Sequence, residues 1–321
     1  MSNKIPPILF IVFNRLDTTK QVVKVFKEVK PPRLFIAADG GRANKEGEAE
    51  RCEAVRKYIL ENIDWDCDVK TLFQEQNLGC GKGVTTAISW FFSHVEEGII
   101  LEDDCVPHPD FFEYCHELLE KYRNDENIAI ISGDNFQDGK KMGDGSYYFT
   151  KYANIWGWAT WRRYWNKYHL DLNTYDKEVI YKKIDKRIKT KRERVFWKSL
   201  FETMRVAPID TWDYQMAFCS WHNDMYSIVP NVNLIRNVGF GEDATHTLGA
   251  NAREAFFTTN PILPLIHPTG NEIQDKADTY YFDNFCYPSS RFSRFVQKLH
   301  KIVPARIIST YRAIKKRLLK K

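Results

Sequence analysis

The chain has 321 residues and a mass of 37.8 kDa, with 47 Lys and Arg against 42 Asp and Glu. A hydrophobic share of 43% with 14% aromatics excludes a disordered body. Eleven of the basic residues and none of the acids lie between Arg291 and Lys321, so residues 1–290 keep 36 basic against 42 acidic groups, a net of −6. An acidic body argues against a nucleic-acid partner, which would meet a basic face on the folded core. The basic tail points instead to an anionic contact.

No apolar run reaches the roughly 20 residues that cross a bilayer, and Met1–Pro7 lacks the apolar stretch of a signal peptide. The seven cysteines contain no CxxC pair and are odd in number, so they read as reduced thiols of a cytoplasmic protein.

The first half alternates strands and helices. Ile8–Phe13 is a continuous apolar run, short enough for a buried parallel strand. Asp17 or Thr18 is placed to cap a helix that carries Val22, Val25, Phe26 and Val29 on one face. Leu34–Ala38 predicts a second strand, ending in the sharp loop Asp39-Gly40-Gly41. Glu46–Asn62 predicts a helix, and Val69–Phe73 a strand. Val84, Ile88, Phe91 and Val95 mark another helical face. Ile99–Leu101 predicts a strand running into Glu102-Asp103-Asp104. A helix over Phe111–Tyr122 and a strand over Ile128–Ser132 complete an open α/β sheet with right-handed crossovers.

Beyond Ser146 the rhythm changes. Tyr147–Tyr152 predicts a strand, followed by the aromatic stretch from Trp156 to Trp165. Residues 176–194 read as charged surface helix, and Phe196–Met204 and Tyr214–His222 as further helices. No linker rich in Pro, Gly or Ser separates the halves, which predicts that they pack as one unit.

Glu102-Asp103-Asp104 is the strongest chemical signal. Three acids at the end of a buried strand repel one another unless a cation neutralises them, and hard oxygen ligands suit Mn²⁺ or Mg²⁺. Asp39 ends a neighbouring strand, where it serves either a ligand or an Asx turn. Arg15 could meet a base or pair with a carboxylate. Asn77-Leu78-Gly79-Cys80-Gly81-Lys82-Gly83 fails the Walker A spacing, but leaves Lys82 as a candidate phosphate contact, with a plain tight turn as the alternative. Asp213 follows Trp212 in Asp210-Thr211-Trp212-Asp213. It reads as a desolvated general base or as a helix-capping acid. Trp156, Trp158 and Trp212 could stack on sugar rings or fill the core.

In series these residues resemble a family. Phe13-Asn14-Arg15, Ala38-Asp39-Gly40, Leu101-Glu102-Asp103-Asp104 with Pro109-Asp110-Phe111-Phe112-Glu113-Tyr114, Trp156-Gly157-Trp158, Trp212-Asp213 and Phe240-Gly241 with Thr245-His246 occur in that order. The pattern resembles the GT-A-fold glycosyltransferases, of the N-acetylglucosaminyltransferase I type and its bacterial relatives, over roughly residues 5–250.

The resemblance implies a mixed, mainly parallel Rossmann-like sheet with flanking helices. It implies a nucleotide-sugar half at 1–150 and an acceptor and catalytic half at 151–290 of the same domain; the residues of 291–321 read separately as a basic amphipathic helical tail. Arg15 and Asp39 would hold the base of a UDP-sugar and Asp103 its ribose, with Glu102, Lys82 and Thr245 also on the donor. Asp104 would ligate Mn²⁺ or Mg²⁺, with His246 as a second metal or phosphate contact. Asp213 would deprotonate an acceptor hydroxyl, so that the anomeric centre inverts. Trp156, Trp158 and Trp212 would meet a glycan or lipid-linked acceptor, GlcNAc being the expected sugar.

In the tail, Phe292, Phe295, Val296, Leu299 and Val303 form one apolar stripe, and Ile307, Tyr311, Ile314 and Leu318 another. Such helices suit an anionic membrane surface, here the inner face of the cytoplasmic membrane, or cover the domain. The alternatives to sugar transfer are a sugar nucleotidyltransferase and a non-catalytic sugar- or nucleotide-binding protein. The first would want a glycine- and basic-rich loop where Pro6–Asn14 has no glycine.

Overall fold

The computed structural model describes residues 5–240, 255 and 257–287. Thr245, His246 and the predicted tail helices at 291–321 lie outside the described residues. Two compact units divide after Asp275, whereas the sequence pattern places a boundary after residue 290.

Strands β1 (Ile8–Val12), β2 (Arg33–Ala38), β3 (Asp68–Phe73) and β4 (Glu97–Glu102) alternate with helices α1 (Leu16–Val29), α2 (Glu48–Glu61) and α3 (Cys80–His94). Then come β5 (Cys105–Pro107), α4 (Asp110–Lys121), β6 (Ile128–Ser132) and β7 (Tyr147–Thr150). The aromatic stretch folds as β8 (Trp158–Trp161) and α5 (Arg162–Trp165). It is followed by α6 (Lys177–Arg187), α7 (Lys191–Val206), α8 (Asp213–His222), β9 (Tyr226–Pro230) and β10 (Ile235–Asn237). Helix α9 (Asp275–Tyr281) begins at the division, and a π turn at Phe282–Cys286 completes the described part of the second unit.

One eight-stranded sheet has the order β3-β2-β1-β4-β8-β6-β9-β7. β3, β2, β1 and β4 are mutually parallel, as are β6 and β9, while β8 and β7 run against their neighbours. The sheet is mixed and mainly parallel, as the resemblance implies. β8 joins the two halves, pairing Thr160 with Gly98 of β4 and Ala159 with Ile131 of β6. A small antiparallel ribbon, β5 with β10, stands apart from the sheet.

The continuous apolar runs follow from burial on both faces. Ile8, Phe10 and Val12 of β1, with Leu34 and Ile36 of β2, enter a core shared with α1, α2 and α4. Leu9, Phe35 and Ile100 point the other way, into a core with α3 and with Met216 and Cys219 of α8.

Two expectations need correction. Helix α1 starts at Leu16, so Arg15 rather than Asp17 or Thr18 takes the N-cap position, and the Thr18 and Thr19 hydroxyls donate back to its carbonyl at 3.1 and 2.7 Å. The charged segment 176–194 is not all surface. It breaks between α6 and α7, where Thr190 caps α7, and Glu193 turns inward onto Lys151 at 2.9 Å and the Tyr152 hydroxyl. The short strands β5, β8, β9 and β10 carry no alternation long enough to announce them. All seven cysteines are free thiols. No helix among the described residues is long and apolar enough to cross a membrane.

Gly98 marks where the sheet meets α3. A Cβ there would lie 2.6 Å from the Pro7 carbonyl oxygen and strike the Phe91 ring. Gly98→Ala should therefore cost about 1–3 kcal/mol, read as a lowered urea midpoint at an unchanged m-value. An unchanged midpoint would show that α3 yields freely.

Candidate functional site

The chain builds β1, β2 and β3 in one direction, then returns β4 to the other side of β1. Open parallel sheets bind ligands at the carboxyl ends of the strands beside such a reversal. A cleft of about 1190 Å³ opens there. Its walls bring together Arg15, Asp39, Glu102, Asp103, Asp104, Trp156, Trp212 and Asp213 from segments far apart in the chain. A smaller groove of about 580 Å³, between α3 and α5, is lined by Ser89, Trp165 and His169 and has no carboxylate in its wall.

The acidic triplet is the centre of the cleft. Asp103 is only 2% exposed and accepts from the Phe13 N–H at 3.3 Å and from Arg15. The same Arg15 nitrogen reaches Asp104 Oδ2 at 3.0 Å, so one guanidinium bridges both acids. Burial works against the charge on Arg15, but the two carboxylates outweigh it and hold the group protonated. Burial, with the charges of Asp104 and Asp103, pushes the Glu102 carboxyl up. Burial and Asp104 likewise raise Asp103, while Arg15 lowers it. Arg15 thus faces the triplet, the carboxylate pairing of its two readings.

Asp39 serves the turn, one of its two readings. Its carboxylate accepts N–H bonds from Gly40 at 2.9 Å, Leu78 at 2.9 Å and Gly79 at 3.2 Å, and the Asn77 amide at 2.9 Å. These bonds use its acceptor sites on the turn before α3 and leave little for a base. Asp210 takes the next two donors, Cys80 N–H at 3.1 Å and Gly81 N–H at 2.8 Å. The glycine-rich loop is therefore a cradle for two of the chain's own carboxylates. A Cβ at Gly79 would sit 2.8 Å from Asp210 Oδ2, and Gly79 has a φ of +83°, a left-handed conformation that favours glycine. Lys82 is exposed on the first turn of α3 and is not among the residues that line the cleft.

Asp213 opens α8 and accepts from the Thr211 hydroxyl at 2.5 Å. It lies close enough to Glu102 to add to that group's raised proton affinity. Trp212 is 3% exposed and stacks on Trp158, which is 1% exposed, at 5.9 Å. Trp158 is core, a correction to its reading as an acceptor contact, because no ring face reaches the cleft. Trp156 does line the cleft and meets Phe136 and Phe240 edge-on at 5.1 and 5.7 Å.

Other contributors are not singled out by sequence. Phe13 lies under the Arg42 guanidinium at 5.7 Å, and Arg42 is fixed by buried Glu48, whose carboxyl is held at about 2 by that pairing. Cys80 sits among Glu102, Asp210 and Asp213, and burial with their charges pushes its thiol up to about 12. That keeps it a thiol and not a nucleophile. Asp134 follows β6, 1% exposed. One oxygen accepts from the Trp156 N–H at 3.3 Å, and the other has no hydrogen-bond partner among the described residues.

No three Asp, Glu, His or Cys side chains among the described residues form a ready metal cluster. The crowded oxygens still suit a hard cation. Mg²⁺ characteristically takes one or two protein carboxylates and completes its shell with substrate phosphate and water. Asp104 fits the part of such a carboxylate.

Two outcomes follow from these contacts. Asp210→Ala leaves the first N–H groups of α3 unpaired and should cost about 1 kcal/mol of stability in urea titrations; no loss would show that water replaces the carboxylate. Burial raises the Asp134 carboxyl well above its usual range. The folded chain then holds that proton more tightly than the unfolded one. The group's stabilisation is full below the ordinary Asp pKa of about 3.9 and is lost as pH rises toward the folded value. Asp134→Asn should gain stability relative to the parent between pH 4 and pH 8, and a constant difference would count against the raised value.

No protein-family model matches the chain, and no curated protein matches it. Among solved structures, the chain is similar to UDP-glucose pyrophosphorylase complexed with UDP-glucose, at 11% identity and a TM-score of 0.37, over 70% of this chain and 90% of that one. It is also similar to 4-diphosphocytidyl-2C-methyl-D-erythritol synthase from Anaerococcus prevotii, at 12% identity and a TM-score of 0.33, over 61% and 99%. HddC from Yersinia pseudotuberculosis matches at 8% identity and a TM-score of 0.32, over 52% and 81%. Scores this low assign no reaction.

Proposed function

We propose that this chain is an enzyme that binds a nucleoside diphospho-sugar in the cleft and moves its sugar to an acceptor hydroxyl. The observation that carries this reading is the arrangement at the ends of β1 and β4. There a counter-charged acidic triplet, Glu102 to Asp104, faces a further carboxylate, Asp213, from the second half of the chain.

The nucleoside is assigned to the end between β1 and β2, along Phe13 and the backbone beside Asp39. Asp103 is assigned to the ribose. Asp104 would hold Mn²⁺ or Mg²⁺, and such an ion, when bound, offsets the charge that develops on a diphosphate leaving group. Asp213 is assigned to take the acceptor's proton as that oxygen attacks from the opposite face, which inverts the anomeric centre. Trp156, in the wall of the cleft, is assigned to the acceptor. UDP as the nucleotide, GlcNAc as the sugar, and a glycan or lipid-linked acceptor rest on the sequence resemblance. A membrane role for residues 291–321 rests on their basic, amphipathic pattern.

Sugar nucleotidyl transfer is the second reading. Two of the similar structures, a UDP-glucose pyrophosphorylase and a 4-diphosphocytidyl-2C-methyl-D-erythritol synthase, favour it over sugar transfer. Within the chain, the turn Phe13-Asn14-Arg15 after β1 has no glycine with which to wrap a triphosphate, and that favours sugar transfer.

One pair of assays separates the readings. The purified chain is given UDP-GlcNAc with Mn²⁺ and UDP release is followed. In parallel it is given UTP with GlcNAc-1-phosphate and pyrophosphate is followed. Sugar transfer or its hydrolytic side reaction should release UDP, fall at least 100-fold (about 2.7 kcal/mol) in Asp104→Asn and Asp213→Asn, and produce no pyrophosphate. Pyrophosphate formation establishes the second reading. Thermal stabilisation by UDP-GlcNAc without turnover in either assay indicates a binding protein.

A further inference from the structure

We propose that Arg15 is a built-in counter-ion that keeps a divalent cation off Asp104 until a diphosphate arrives. The inference rests on the reading of Asp104 as the metal carboxylate. It concerns what the chain does before any nucleotide is bound.

Both oxygens of Asp104 are engaged. Oδ2 lies 3.0 Å from the Arg15 guanidinium, and Oδ1 accepts from the Cys105 thiol at 3.4 Å. Gly239 closes the remaining side. A Cβ there would collide with the Asp104 carboxylate and lie 3.0 Å from Arg15 Nη1, so only a glycine backbone passes. Arg15 is itself held in place. Its backbone carbonyl takes the Thr18 and Thr19 hydroxyls, and the same nitrogen that meets Asp104 also meets the nearly buried Asp103. A cation approaching Asp104 must therefore displace a guanidinium from the carboxylate it seeks and then sit beside that positive charge.

A diphosphate changes the balance. Guanidinium binds phosphate oxygens in the same forked geometry as carboxylate. A diphosphate in the cleft gives Arg15 a second anion to hold while Asp103 keeps it anchored. Asp104 is then released to a cation that the phosphates also bind. Coupling of this kind is reciprocal, so nucleotide strengthens cation binding as much as cation strengthens nucleotide binding. The chain would thus resist loading with metal alone, and Arg15 would be the cause.

The test measures Mn²⁺ binding to the full chain without nucleotide, by the electron paramagnetic resonance signal of free Mn²⁺. Wild type should bind weakly, and Arg15→Ala about tenfold or more tightly. Arg15→Ala combined with Asp104→Asn should lose that gain. Arg15→Lys keeps a charge beside buried Asp103 but cannot span both acids. It should fall between, and it carries the test if the alanine variant does not fold. Adding UDP should strengthen Mn²⁺ binding more in wild type than in Arg15→Ala. Equal Mn²⁺ affinity in wild type and the Arg15 variants, or a gain that survives Asp104→Asn, overturns the inference and leaves the metal reading standing. Absence of Mn²⁺ binding in every form, with or without UDP, overturns both.

Discussion

The bridge from Arg15 to Asp103 and Asp104 is the contact on which the site depends. It ties the turn after β1 to the turn after β4, the two strands between which the sheet reverses direction. Acids crowded at the end of a buried strand would repel one another, and burial would drive them toward their neutral forms. One guanidinium offsets the repulsion between Asp103 and Asp104, while burial still raises the proton affinity of Asp103 and of Glu102. The sheet can then present concentrated negative charge in a cleft and remain folded.

The same principle recurs one strand away. The N-terminus of α3 is an anion site by its nature, since its first N–H groups have no partner within the helix. Here Asp39 and Asp210 fill it from two sides. Asp39 joins the helix to the end of β2, and Asp210 joins it to the loop that carries Thr211, Trp212 and Asp213. The glycines leave room for these carboxylates. The position of Asp213 in the cleft therefore depends on a helix some 130 residues earlier in the chain, Asp210 and Cys80 being separated by 130.

The legible parts of the fold were those set by local pattern. The runs at Ile8, Leu34, Ile99 and Ile128 had to be buried strands, because each is apolar on both faces. The 3.6-residue spacing in α1, α3 and α4 had to be helix. Strands β8 and β9 were illegible, since Trp158–Trp161 and Tyr226–Pro230 are short and are ordered by their neighbours: β8 by Gly98 and Ile131, β9 by Phe149. The cleft was legible as a location, because strand ends followed by acids are visible in sequence. The bonding of each acid was not. Asp39 reads equally as ligand contact and as turn residue until Leu78 and Gly79 are seen to donate to it. Trp158 reads as sugar platform or, as is usual for Trp, as core until its stack on Trp212 is seen.

By itself the sequence determined that this is an α/β protein with carboxylates at the ends of its parallel strands, and with a basic tail electrically distinct from an acidic body. Those are properties of composition and short-range period, and no fold can alter them. Only the tertiary structure decided which partners those carboxylates have. Arg15 reaches Asp103 across 88 positions of sequence, and Asn77 reaches Asp39 across 38. Ion pairs and hydrogen bonds act over a few ångströms of space, so their partners are chosen by the strand order that brings distant turns to one edge of the sheet, and not by spacing along the chain.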